Sequence, residues 1–143
     1  MILVRLCILG IVASLLWCAD PTPSDAIRTA TVLAGPRNRD AKVPLSYSTW
    51  KTLVIAGDVA QLSKILDDPT CTDAGIAYAL LGLRECKSEM YEKYIVTLKS
   101  RLDNEISLRN GCVYHLCSVS ESLTLTDFVV VDFIKANFPA DRQ

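Results

Sequence analysis

Residues 56–66 read Ala56-Gly-Asp-Val-Ala-Gln-Leu-Ser-Lys-Ile-Leu66. Glycine ends helices because it enters the left-handed region without a Cβ penalty. Aspartate starts them because its carboxylate accepts the free N–H groups of the first turn. Gly57-Asp58 therefore reads as a joint between two helices. Val59, Leu62, Ile65 and Leu66 fall at helical spacing, so the second helix has one apolar face. Working upstream, Ser46 or Ser48 is expected to cap a first helix through Trp50, Leu53, Val54 and Ala56. Working downstream, Asp67-Asp68-Pro69 stops the second.

A second pair follows. Thr72 or Asp73 opens a helix carrying Ala74, Ala77, Tyr78, Leu80, Leu81 and Leu83. Gly75 and Gly82 lie inside it, which weakens the helix but permits close approach of a neighbour. Cys86-Lys87-Ser88 is a break, with Ser88 as the next cap. Met90, Tyr91, Tyr94, Ile95, Leu98 and Leu102 then form one face of a longer helix.

The Gly-Asp joint at 56–66 and the pattern of residues 74–102 resemble helical-hairpin repeats of the HEAT-like and ankyrin-like kinds. The resemblance spans residues 46–102. It implies stacked helices and a binding surface rather than a reaction. The Thr-Pro-Leu-His turn of ankyrin repeats is absent.

Both flanks differ from this centre. In residues 20–45, Asp20-Pro-Thr-Pro23 reads as linker and Ser24 as a cap. A short helix is expected over Asp25–Ala34, with a strand as the alternative because of Thr29, Thr31 and Val32. On the other side, Asn110-Gly111 lies between Ile106-Ser-Leu-Arg109 and Cys112-Val-Tyr-His115, a hairpin signal placing two strands within 105–117. Ser118-Val-Ser-Glu121 has capping-box spacing. A last helix is expected over Phe128–Asn137, with a strand as the alternative, and 139–143 as a tail. The expected fold is mainly α, stacked helical hairpins with a small C-terminal β-hairpin in a domain spanning 46–138; the alternative class is α+β.

The N-terminus sets the compartment. Arg5 precedes an apolar run from Leu6 to Trp17, and Cys18-Ala-Asp-Pro21 closes it. This is the pattern of a signal peptide over residues 1–19, so the expected location is secreted, periplasmic or cell envelope. Two alternatives stay open: a retained anchor, and lipid attachment at Cys18, because Leu15-Leu-Trp-Cys18 resembles a lipobox with Trp17 where a small residue belongs. The chain holds 15 basic and 16 acidic side chains; losing Arg5 with the signal leaves a net charge of −2. With no basic stripe, nucleic acid is not an expected partner. A protein partner is, with membrane contact only through a lipid or an uncleaved signal.

An exporting cell delivers cysteines to an oxidising space, which makes Cys71, Cys86, Cys112 and Cys117 disulfide candidates. A helix between Cys71 and Cys86 would hold them about 20 Å apart, too far for a bridge. Cys112 and Cys117 in one strand are also too distant. That leaves Cys71–Cys117 with Cys86–Cys112, the favoured reading, or Cys71–Cys112 with Cys86–Cys117.

Cys112-Val-Tyr-His115-Leu-Cys117 is the densest candidate for chemistry. In a strand, His115 and Cys117 share one face and Cys112 takes the other, so a tetrahedral zinc set is not formed locally. No catalytic residue, metal or cofactor is expected. The carboxylates at Asp67-Asp68, Asp73, Asp103, Glu105, Asp127 and Asp132 suit caps and turns. The leading functional expectation is an exported, non-enzymatic interaction or structural protein. The alternative is a small extracytoplasmic enzyme or ligand-binding protein using His115. Mass spectrometry of the protein recovered outside the cytoplasm is expected to find residue 20 at the N-terminus. An acylated Cys18 or an intact Met1 would select one of the other two readings.

Overall fold

The computed structural model describes residues 22–35, 43–110 and 113–124. Residues 1–19, Cys18, Cys112, the expected last helix and the tail lie outside this set. The described chain is mainly α with a small sheet, as expected. Its elements are α1 (Pro23–Arg28), β1 (Val32–Ala34), α2 (Leu45–Ala56), α3 (Val59–Asp67), α4 (Asp73–Glu85), α5 (Met90–Thr97), α6 (Lys99–Leu102), β2 (Glu105–Asn110) and β3 (Val113–Ser118). Residues 119–124 are helical.

The Gly57-Asp58 joint forms as its chemistry requires. Gly57 sits at φ 63°, and the Asp58 carboxylate accepts the Gln61 N–H. Thr72, one of the two expected openers, caps α4 by accepting the Gly75 N–H at 3.1 Å. At the end of β3, the Ser118 capping box closes in both directions: Ser118 N–H donates to Glu121, and Glu121 N–H donates to Ser118 Oγ.

α4 is the centre of the fold. Ten consecutive residues, Ala74 to Leu83, are buried, so every face of the helix meets protein. A helix apolar all round belongs in the middle of a core. α1, α2, α3, α5, β1 and β2 all pack on it. Its glycines mark the closest approaches. A Cβ on Gly75 would lie 2.6 Å from the Ile27 carbonyl oxygen of α1, and one on Gly82 would lie 2.8 Å from a Leu62 methyl of α3.

The sheet has the order β1-β2-β3. β2 and β3 are antiparallel with an unbroken register from Glu105↔Ser118 to Asn110↔Val113. Asn110 therefore ends β2 and is not a turn residue, a one-residue shift from the sequence expectation. β1 runs parallel to β2, pairing Leu33 with Leu108. Residues 22–35 of the segment expected as linker with a short helix are thus part of the core, where Ile27 and Leu33 are buried. Neither a helix nor a strand fills it alone: α1 stops at Arg28 and the chain extends into β1. Two anchors account for this. Thr72 Oγ1 donates to the Ala30 carbonyl at 2.5 Å and Thr72 N–H donates to Arg28 O. Tyr78 Oη accepts the Ala34 N–H at 2.8 Å and donates to Ala34 O at 2.6 Å.

Three further expectations shift. α1 is capped from Thr22, not Ser24: with Pro23 in the first helical position, the Thr22 N–H reaches the Asp25 carboxylate. α2 starts at Leu45 after Pro44, which places Ser46 and Ser48 inside the helix; the Ser48 hydroxyl bonds back to Leu45 O. The long helix expected to reach Leu102 is divided at Leu98. Thr97 Oγ1 donates back to Lys93 O, a bond that bends helices, and Arg101 reaches across to Asp73 and to the Cys71 carbonyl.

Two comparisons test this packing by thermal or denaturant unfolding. Gly75→Ala is expected to destabilise by about 1–3 kcal/mol, since a backbone oxygen cannot yield. Gly82→Ala is expected to be milder, because the Leu62 side chain can move and alanine gains about 1 kcal/mol of helix propensity. Tyr78→Phe is expected to cost about 1–3 kcal/mol by leaving both polar groups of Ala34 without their hydroxyl partner.

Candidate functional site

The sequence pointed to the C-terminal hairpin, and its register now gives each residue a side. Ile106, Leu108 and Cys117 are buried, and Leu33 of β1 joins them on the inner face against the helices. His115 shares that face by alternation and pairs with Leu108, yet it is exposed, because it stands on the outer strand β3, whereas Leu108 is on the central strand that packs against α4. The outer face carries Ser107, Arg109, Tyr114 and Leu116. Tyr114 is 59% exposed and Leu116 69%. The Arg109 guanidinium lies 5.3 Å from the centre of the Tyr114 ring, within cation–π range.

Tyr114 and Leu116 are the residues that sequence reasoning passed over. His115 and Cys117, the side chains that could carry chemistry, lie on the opposite face of the strand. The same period of two that put those on one face put Tyr114 and Leu116 on the other. An amphipathic strand needs polar residues outward, and this one has apolar residues on both faces.

Cys71, Cys86 and Cys117 are present as free thiols. Cys71 and Cys86 flank α4 at opposite ends, as the helix-length argument requires. The Cys71–Cys117 bridge is not formed in this state, and Cys86–Cys112 involves a residue outside those described. Burial pushes the Cys71 thiol up to about 11, outweighing the pull of Arg101. Burial also raises Cys86, helped by Glu85, and raises Cys117, helped by Glu121. A thiol raised in this way stays protonated at neutral pH and is a poor nucleophile or metal ligand.

Three of the carboxylates, Asp67, Asp68 and Asp73, are engaged structurally. Asp73 takes Arg101 and Asn104, Asp67 takes the Tyr94 hydroxyl at 2.8 Å, and Asp68 takes the Thr70 N–H and hydroxyl. Asp127 and Asp132 lie outside the described residues. Among the described residues no three His, Cys, Asp or Glu side chains converge as a metal site would need. Among the same residues no helix is long and apolar enough to cross a membrane.

Two open clefts flank α1. The larger, about 620 Å³, lies between α1 and α2. Its Thr29, Ser48 and Thr52 hydroxyls already donate to backbone carbonyls of their own helices. The smaller, about 360 Å³, combines Arg28 and Lys64 with Asp25, Asp67 and Asp68, whose charges offset one another. His115 lines neither cleft. Comparison of the chain with protein families, with curated proteins and with solved structures gives no match. The fold and the hairpin therefore define a class by geometry alone: a mainly α domain with an apolar strand face turned to solvent.

In the reduced protein, Cys71 links stability to pH. Its folded thiol ionises near 11 and an unfolded one near 9. The protonated thiol's contribution is complete below about pH 9 and is lost as pH rises toward 11. Chemical denaturation across that window is expected to show wild type losing more stability than Cys71→Ala, by on the order of 2 kcal/mol.

Proposed function

We propose that this is an exported, non-enzymatic interaction protein of the cell envelope or extracellular space, and that it binds a protein partner through the outer face of the β2–β3 hairpin. The observation that carries the binding part is the presence of exposed Tyr114 and Leu116 on a strand whose inner face is tied to the core through buried Cys117. Exposed apolar side chains on a rigid element are what partner surfaces use as anchors, and tyrosine is among the commonest. The Arg109 contact restricts the Tyr114 ring before binding, which lowers the ordering cost of using it as an anchor. Export rests on the N-terminal pattern of Arg5 and the apolar run to Trp17. The same compartment supports bridges at Cys71, Cys86, Cys112 and Cys117 in the mature protein. Thiol counting on denatured, unreduced material should then find those four blocked.

A photo-crosslinking residue at position 114, introduced in the producing cells, is expected to give a discrete adduct outside the cytoplasm. The same probe at exposed Ile55 of α2 is expected to give none. Tyr114→Ser with Leu116→Ser is expected to weaken the captured complex at least about ten-fold, the loss of one interface anchor. Circular dichroism should be unchanged, because both side chains stand outside the core. Absence of any adduct at 114 would remove the hairpin from the interaction surface.

A further inference from the structure

The partner of this surface can be identified from the edge of the sheet. Edge strands carry unpaired backbone groups, and proteins protect them by short length, charged residues, proline or a bulge. The two edges here differ sharply. β1 has three residues, and Tyr78 Oη occupies both polar groups of Ala34. β3 has six residues, Val113-Tyr-His-Leu-Cys-Ser118, with no charged residue and no proline. Its register against β2 is unbroken, so no bulge turns it away. Among the described residues it forms the end of the sheet.

A second copy of β3 fits this edge better than an unrelated strand because β3 complements itself. Antiparallel pairing that keeps the two outer faces on one side requires paired residue numbers to have an even sum. With the two-fold axis through position 115, Tyr114 lies opposite Leu116 of the other copy, and Leu116 opposite its Tyr114. Each outer row then reads Arg109, Tyr114, Leu116, Ser107, with the last two from the second copy. Every exposed apolar side chain of the strand's outer face gains an apolar neighbour, and Tyr114 is enclosed between Arg109 and Leu116. Charged pairs do not collide: the nearest charges on β2, Glu105 and Arg109, stay one strand away from the seam.

Resting on the reading of the hairpin as an interaction surface, we propose that the partner is a second copy of this chain. The two β3 strands join edge to edge into one six-stranded antiparallel-centred sheet, with the helices of both copies on the same side. The dimer is isologous, so the contact closes on itself and does not propagate into a fibre.

Sedimentation of the purified protein under reducing conditions is expected to give the mass of two copies, dissociating on dilution. Leu116→Lys places a charge on the open edge and is expected to give one-copy mass at every concentration, with unchanged circular dichroism and melting. The register has its own test. His115→Cys should, on mild oxidation, give a covalent dimer whose peptide map shows the two copies joined to each other through position 115, since cross-strand positions directly opposite lie within disulfide range. One-copy mass for wild type at high concentration overturns the proposal, whether β3 amides exchange quickly or are covered by another part of the chain. A photo-adduct at position 114 to a different protein, with one-copy mass retained, overturns the second copy while leaving the hairpin surface intact. A dimer that Leu116→Lys leaves unaffected overturns the assigned edge.

Discussion

Burial of α4 on every side is the constraint on which the rest of the molecule depends. A helix running Ala-Gly-Ile-Ala-Tyr-Ala-Leu-Leu-Gly-Leu from Ala74 to Leu83 has no face to offer water. Each fully buried aliphatic side chain is worth about 1.5–3 kcal/mol relative to exposure, so leaving any side uncovered would be expensive. The surrounding elements are arranged accordingly. α3 uses the Gly82 gap, α1 uses the Gly75 gap, and β1 and β2 close the side that a pure helical stack would leave to the next repeat. A tandem of hairpins solves the same problem by adding units; here a small sheet ends the stack.

Polar groups then fix the order of these layers. Thr72 is the clearest case, capping α4 with its oxygen while its own donors hold the Arg28 and Ala30 carbonyls. Asp73, the next residue, receives Arg101 and Asn104 from the far end of the helical region. The N-terminus of α4 is therefore where the first and last parts of the helical layer are tied together. Asp67 and Tyr94 make the corresponding tie between α3 and α5. Trp50 is an exception to this economy. Its ring is buried beside Tyr47 and Tyr78, and its indole N–H has no acceptor among the described residues, so packing alone accounts for its place.

The centre of the fold was legible in the sequence because its signals are local. As helix caps and stops, Gly57, Asp58, Thr72 and Ser118 act on backbone groups within a few residues, and the helical period of 59–66 repeats at short range. The N-terminal segment was not legible in the same way. Val32-Leu-Ala34 becomes a strand only because residues 107–109 lie alongside, and no local pattern announces a parallel partner so distant. Its weak helix propensity was visible; its neighbour was not. The split at Leu98 was hidden for a related reason, since Arg101 is drawn across to Asp73 by a contact outside the helix. At the hairpin, alternation correctly separated the two faces. Which face would meet water depended on where the helices lie, and the strand's apolar residues on both sides gave no preference.

The parallel pairing of β1 with β2 also sets an order of events during synthesis. Residues 32–34 and 107–109 meet in the finished sheet, and contacts this far apart in the chain are slow to form because a long loop must close first. A chain delivered N-terminus first presents α1 and β1 long before their partners exist. Ile27 and Leu33 must wait with their apolar surfaces open until α4 and then β2 follow. The C-terminal hairpin is thus the last piece of the sheet to arrive and the one that seals the first, so completion of the fold is timed by the same segment that carries its exposed face.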